Sequence, residues 1–365
     1  MEIFLFFFKF GWVAFGGPAA HIALMQEELV IKRKWLSEQE FLDYMGMTNL
    51  IPGPNSTEMT MHMGYHRGGV KGLFLAGIGF IFPAVLITLA VAIFYDQIRD
   101  LEGAQPIITG IKAAVLSFIA AAIIKLGKKA AKSGILIIVG VLAIVACWFG
   151  INEILVILGA GVLGLLIAIG KQPDKMGFWA ALPMVVMAFA LSKTSKIFLI
   201  FLKIGSVLFG SGYVLFAYLD GELIDNLGWL THSDLVEAVA VGQMTPGPVL
   251  STATFIGYQL GGISGGMAAT LGIFLPAFLF VWLLNPIVHK MRSSPPLRSF
   301  LDFVNIAAVA VMIFVTYEMT ISIIVDWKAG VIAALSFAIY FYWKGLSPFF
   351  IIIGGGLLGW MLTFV

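Results

Sequence analysis

The sequence predicts an all-α polytopic membrane protein: two inverted-topology repeats whose re-entrant, broken helices meet at the bilayer midplane. Three observations predict it. Hydrophobic residues make up 60% of the chain and charged residues 12%, with mean hydropathy +1.00, whereas soluble domains carry about 25% charged residues. Pro-Gly-Pro occurs at Pro52-Gly53-Pro54 and again at Pro246-Gly247-Pro248, an offset of 194 residues that also maps Lys9 onto Lys203, Phe15-Gly16 onto Phe209-Gly210 and Trp35-Leu36 onto Trp229-Leu230. An offset of 193 then maps Gly64-Tyr65 onto Gly257-Tyr258 and Pro83-Ala84 onto Pro276-Ala277. Finally, equivalent connecting segments carry opposite charge. Matched Gly and Pro interruptions in a duplicated apolar chain are the mark of a secondary carrier.

The repeats divide the chain at 1–192 and 193–365. Apolar runs near 73–94, 107–124, 134–150, 154–170, 177–192, 265–285, 302–324, 329–343 and 347–364 are candidate spans. Several are at or below the roughly 17–25 residues that a crossing needs, so the count stays open. The start, Met1-Glu2-Ile3-Phe4, lacks a basic region and a cleavage site, and reads as the first membrane element rather than a signal peptide. Lys32, Arg33 and Lys34 in 26–40 face Asp220, Glu222, Asp225 and Asp234 in the equivalent 220–234. Arg67 and Lys71 in 66–71 face an uncharged 259–264, and the signs reverse between 95–102 and 288–298. Positive charge stays inside, so 26–40 and 66–71 are cytoplasmic and their counterparts external. The repeats are therefore inverted in a multi-pass protein of the cell membrane.

Both flanks of the first Pro-Gly-Pro fall on one side, so the stretch between them enters and turns back. Ser37-Glu38-Gln39-Glu40 reads as a capping box opening a helix, and Thr231-His232-Ser233-Asp234 repeats it. Pro52 and Pro246 then end the inward helices, because proline lacks the N–H and clashes with the preceding turn. Gly16 and Gly17, with Gly210, Ser211 and Gly212, interrupt the first apolar element of each repeat. That element is either a second broken hairpin or a single kinked crossing.

Irregular backbone at membrane depth is tolerated around a cavity or a bound solute. Gly53 and Gly247 take the N-cap place with Pro54 and Pro248 at N1. The N–H groups of Asn55, Ser56, Val249 and Leu250 then point toward the tip, and two facing helix starts attract an anion. Asn55, Ser56, Thr57, Ser251 and Thr252 add donors. The alternative is a plain tight turn. Lys9 and Lys203 are intramembrane cations that either line a pathway or snorkel to the headgroups. Such a donor-only tip would favour chromate and sulfate over phosphate, which keeps a proton near neutral pH.

Glu58 and His62 share a helix face and are candidates for proton coupling, though repeat two offers Thr252 or Ala253 and Phe255 or Ile256 there. A carrier of another solute coupled to protons would need matched carboxylates at depth. A membrane-embedded enzyme would need a catalytic pair, for which Glu58 with His62 is the sole candidate. Asp43 and Glu237 match between repeats near hairpin mouths and read as solvated. Cys147 is the only cysteine, no metal-ligand or cofactor spacing appears, and a net charge of +2 gives no reason to expect nucleic acid. No metal, cofactor or catalytic residue is expected. The apolar surface is compatible with a homodimer in the lipid bilayer.

Phe15-Gly16-Gly17-Pro18 with His21, Lys32-Arg33-Lys34-Trp35-Leu36, Ile51-Pro52-Gly53-Pro54 and Gly64-Tyr65 resemble the chromate ion transporter family. Phe209-Gly210-Ser211-Gly212, Gly228-Trp229-Leu230 and Thr245-Pro246-Gly247-Pro248 repeat the pattern. The resemblance spans most of the chain. It implies two homologous, oppositely oriented domains and a plasma-membrane carrier that exports chromate, with sulfate as the related anion. Repeat two departs from the pattern, with Ser211-Gly212 where repeat one has Gly-Pro, so the two tips are not equivalent ligands.

Overall fold

In the computed structural model the described residues are 1–365 except 16, 49, 100, 102, 171–191, 210, 211, 286–293, 344, 345 and 365. The expected run 177–192 and the site candidates Gly16, Gly210 and Ser211 thus fall wholly or largely outside the described residues. The described residues form helices and no strand.

Repeat one opens with α1 (Glu2–Val13) and α2 (Gly17–Met25), which continues into a wide π-type turn, Gln26–Lys32. The chain returns to its starting side. Arg33 lies over the Phe6 ring, Trp35 packs on Phe6 and Phe7, and Arg67 reaches both Trp35 and Glu2. The first element is therefore a broken hairpin rather than a kinked crossing. Next comes α3 (Glu38–Thr48), opened by the expected capping box. The Ser37 Oγ accepts the Glu40 N–H, while the Glu40 carboxylate accepts the Ser37 N–H at 2.8 Å. Its 11 residues rise about 16 Å, half a bilayer. After Pro-Gly-Pro, α4 (Asn55–Arg99) leaves the tip and breaks at Gly68 and Gly69, whose backbones are non-helical.

At that break the chain folds back on itself. A Cβ built at Gly64 would fall 2.3 Å from the Gly72 carbonyl, an approach that only antiparallel arms of α4 permit. The re-entrant hairpin is thus α3 with residues 55–67, and residues 70–99 make the first crossing. Among the described residues the repeat then continues through α5 (Ala104–Ala130), the shorter apolar helix α6 (Gly134–Trp148) and α7 (Glu153–Gly170).

Repeat two follows the same plan. α8 (Lys193–Val207) breaks before a 3-10 turn at Gly212–Val214, and α9 (Leu215–Leu219) leads into a π-type turn, Asp220–Asn226. Lys193 lies over the Trp229 ring, so this pair too is a hairpin. α10 (His232–Met244), with its Thr231–Asp234 capping box, re-enters to the second Pro-Gly-Pro. The 3-10 turn Val249–Ser251 and α11 (Thr252–Leu284) leave the tip, with a break at Gly261 and Gly262 that matches Gly68 and Gly69. α12 (Pro295–Ile323), α13 (Trp327–Tyr342) and α14 (Pro348–Met361) finish the chain.

Inversion is visible where equivalent arms touch. Phe74 stacks on Phe278 while a Cβ at Gly266 would meet Leu89, so residues 70–99 and 263–284 run antiparallel. Small residues set the remaining packing. Gly110 of α5 meets the Gly355 backbone of α14, and Gly164 of α7 meets Phe303 of α12. Among the described residues, α5 of repeat one thus packs on α14 of repeat two, and α12 of repeat two on α7 of repeat one. The protein is an all-α, multi-pass membrane protein.

The topology can be checked directly. Lys34 and Asn226 are exposed on the equivalent turns, and Cys147 is buried. In a Cys147→Ala background, cysteines at 34 and 226 are expected to react with an impermeant maleimide from opposite faces. Labelling of both from one face would refute the inverted arrangement.

Candidate functional site

The four breaks meet in reciprocal pairs. The Gly53 N–H at the first tip donates to the Leu208 carbonyl at the break of α8 (2.6 Å). The Gly247 N–H at the second tip donates to the Ala14 carbonyl at the break of α1 (2.8 Å). Each re-entrant tip of one repeat is seated on the broken hairpin of the other. Ala14 accepts a second bond, from His21 Nε2 at 2.9 Å, which fixes that buried imidazole with its proton on Nε2. His21 so caps the break from within its own hairpin.

Both tip glycines have positive φ, +145° at Gly53 and +90° at Gly247, where a side chain is strained. Space is short as well. A Cβ at Gly247 would lie 2.9 Å from the Ala84 Cβ, and one at Gly53 would lie 3.3 Å from the Ala277 Cβ and 2.3 Å from Glu58 Oε1. Ala84 and Ala277 are themselves repeat equivalents. Gly17, with φ +78°, faces the Tyr213 hydroxyl, 2.5 Å from a built Cβ.

The caps lie one residue later than expected. Pro54, not Gly53, is the N-cap, since its carbonyl takes the Thr57 and Glu58 N–H groups. Pro248 is likewise the N-cap, with ψ 133°. Proline at N-cap keeps an extended ψ, which aims the preceding glycine N–H away from its own helix and at the partner repeat. Pro52, Gly53, Pro54, Ser56, Thr57, Gly212, Pro246, Gly247, Pro248, Ser251 and Thr252 are all buried there, with Asn55 half-buried. The Thr252 hydroxyl is spent on Val249, whereas Thr57 Oγ1 has no bond among the described residues.

The expected donor-only tip is corrected by Glu58. Its side chain is fully buried, touches the Gly53 position, and neither oxygen has a hydrogen bond among the described residues. One turn further, the buried His62 binds Asn285 Oδ1 through Nδ1 (3.1 Å), leaving Nε2 unbonded. The Tyr44 ring packs on His62 at 5.4 Å and on His66 at 5.8 Å, and its hydroxyl meets His66 Nδ1 at 3.3 Å. His66 is exposed beside the break at Gly68 and Gly69. Polar side chains therefore follow one another from the tip to the surface, in repeat one alone.

Lys9 and Lys203 are exposed on α1 and α8, each five residues before the carbonyl that receives a tip glycine. That places them about 7.5 Å of helix rise short of the breaks. The Lys203 ammonium engages Glu222 in the returning arm of its own hairpin. Glu237, expected to be solvated, is instead buried and paired with Lys112 of α5. The helix opposite supplies a cation that the hairpin's own sequence does not contain.

A family model described as chromate transporter matches residues 1–165 and 195–360. The chain is 30% identical to the chromate transport protein of Cupriavidus metallidurans, over 98% of this chain and 92% of that one. It is 30% identical to the probable chromate transport protein of Synechococcus elongatus, over 91% and 88% of the two chains. The chromate transport protein of Pseudomonas aeruginosa is 28% identical over 99% of this chain and 92% of its own. No solved structure matches the chain.

Proposed function

The chain belongs to the chromate transporter family, membrane transport proteins and not enzymes, and on that premise we propose a secondary carrier that exports chromate and also takes sulfate. The observation that carries the reading is the reciprocal seating of the four breaks, tip glycine on partner carbonyl. An oxyanion entering between the repeats takes the place of Leu208 and Ala14 as acceptor for the Gly53 and Gly247 N–H groups. The helix starts at Asn55 and Val249 each add about half a positive charge. Ser56, Thr57 and Ser251 supply hydroxyls, and Gly17 and Gly212 give the backbone room opposite. Because the tips enter from opposite faces, rocking of one hairpin pair against the other exposes the site alternately.

Glu58 makes the site proton-linked. A carboxylate about 4 Å from a dianion is repelled by ~8 kcal/mol at an effective dielectric near 20. Occupancy by chromate therefore requires a proton on Glu58, delivered through His66 and His62 from the cytoplasm. One chromate leaving with one proton moves a net charge of −1, and an interior-negative potential drives that export by about 2.3 kcal/mol per 100 mV. Lys9 and Lys203 stand at the flanks of the breaks, where they lower the cost of a dianion's approach.

Binding to the purified protein tests the reading. Chromate and sulfate are expected to compete for one saturable site, with affinity rising up to about tenfold per unit fall in pH, the slope of one linked proton. Absence of mutual competition, or equal binding of divalent cations at that site, would refute it.

A further inference from the structure

We propose that the outer face of the second repeat holds a site for a divalent first-row transition cation, ligated by Asp220, His232 and Glu318. The three come from separate elements: the π-type turn Asp220–Asn226, the first turn of α10 and the outer end of α12. One ligand atom of each lies within 4.8 Å of the others. His232 Nε2 is 3.2 Å from Asp220 Oδ1 and 3.8 Å from Glu318 Oε2. Ligands on a tetrahedral ion, at bond lengths of 2.0–2.2 Å, stand about 3.4 Å apart, so the triad is near closing distance.

A plain ion triad does not account for two further facts. Asp220 has a fully buried side chain, yet neither of its oxygens has a hydrogen bond among the described residues. His232 Nε2 and Glu318 Oε2 are unbonded too, so the close approaches are not aligned as donor and acceptor. These unbonded atoms belong to the three side chains whose ligand atoms lie within 4.8 Å of one another. Asp225 and the buried Glu153 crowd the same centre, and His232 is the one basic group that Asp220, Asp225 and Glu318 meet there among the described residues. Four acids about one imidazole leave negative charge that a dication compensates.

Access and selectivity follow. A cavity of about 410 Å³ beside His232 and Glu318, lined by Trp148, Tyr317 and Ser322, gives an ion a way in. The imidazole donor selects ions such as Zn2+ and Co2+ over Mg2+ and Ca2+, which prefer all-oxygen sites. A bound ion would tie the mouths of both hairpins of repeat two to α12 and so restrain their movement.

Titration of the tag-free, full-length protein in detergent with ZnCl2 is the test. One saturable Zn2+ per chain is expected, not displaced by excess MgCl2 or CaCl2, and weakened about a hundredfold in Asp220→Asn, His232→Gln and Glu318→Gln. Where a variant does not fold, Co2+ bound to wild type decides. A d–d absorption band that Zn2+ abolishes supports the site, and no band overturns it. No saturable Zn2+ binding by wild type also overturns it. So does binding that survives all three substitutions, which would assign the ion to other histidines.

Discussion

Valine at Gly53 or Gly247 is expected to abolish transport, a loss of at least a hundredfold, in protein that still reaches the membrane. Two separate costs act at these positions. The positive φ alone penalises any side chain by about 1–2 kcal/mol. The larger cost is displacement. A first methyl at Gly247 already overlaps Ala84, and one at Gly53 presses on Ala277 at 3.3 Å, so with valine's further methyls the tip must back away from the opposite repeat. That movement breaks the N–H bonds to Leu208 and Ala14, the contacts on which the proposed site is built. Gly262→Ala separates the two costs. It too has positive φ, +63°, yet a Cβ there meets nothing within 4 Å. It should lower thermal stability and leave transport near wild type. Adding Ala84→Gly to Gly247→Ala should restore part of the lost transport, because the overlap goes while the φ strain stays. Wild-type rates in both valine variants would reduce Pro-Gly-Pro to a structural turn.

The hairpins were legible because their signals are local. Pro52 and Pro246 stop helices wherever they occur, the Ser37 and Thr231 boxes start them, and the lysines and acids at the mouths fix sidedness. The reciprocal seating was not legible, because Gly53 to Leu208 and Gly247 to Ala14 are backbone contacts between distant segments with no side-chain signature. His21 stood in a recognisable motif, but its role as the second donor to Ala14 depends on where α2 turns back. The cap was misplaced by one residue because proline's preference for N1 was weighed without ψ, which only the folded chain fixes. Glu58 read as a candidate for proton coupling, but its burial against the glycine five residues before it depends on how the tip folds. Glu318 is far in sequence from Asp220 and His232, and the three meet only through the packing of the second-repeat hairpins on α12.

Glu58→Gln should uncouple transport from protons without removing the carrier's ability to bind an oxyanion. Glutamine keeps the size and hydrogen-bonding ends of the protonated acid, so the Gly53 contact survives. It cannot ionise. Under the proposed coupling a proton joins the wild-type site before the dianion is tolerated, and affinity follows pH. In Glu58→Gln the site is always in the oxyanion-accepting form, and the affinity should be high and flat across the range where wild type varies about tenfold per unit. Turnover should suffer for a different reason. Wild type returns with Glu58 free to lose its proton, while the variant has no charge to shed, so net export coupled to proton movement should fall by at least about tenfold. Exchange of sulfate for sulfate, which needs no proton release, should persist. His62→Gln breaks the path one step away, leaving Glu58 in place. It should retain the pH slope of equilibrium binding but slow proton arrival, and hence transport, most strongly when loading is from the cytoplasmic side. Proteoliposomes with an entrapped pH dye report both quantities together. A Glu58→Gln protein that moves protons with chromate at the wild-type ratio would place the coupling elsewhere, and a wild-type affinity independent of pH would remove the proton from the mechanism altogether.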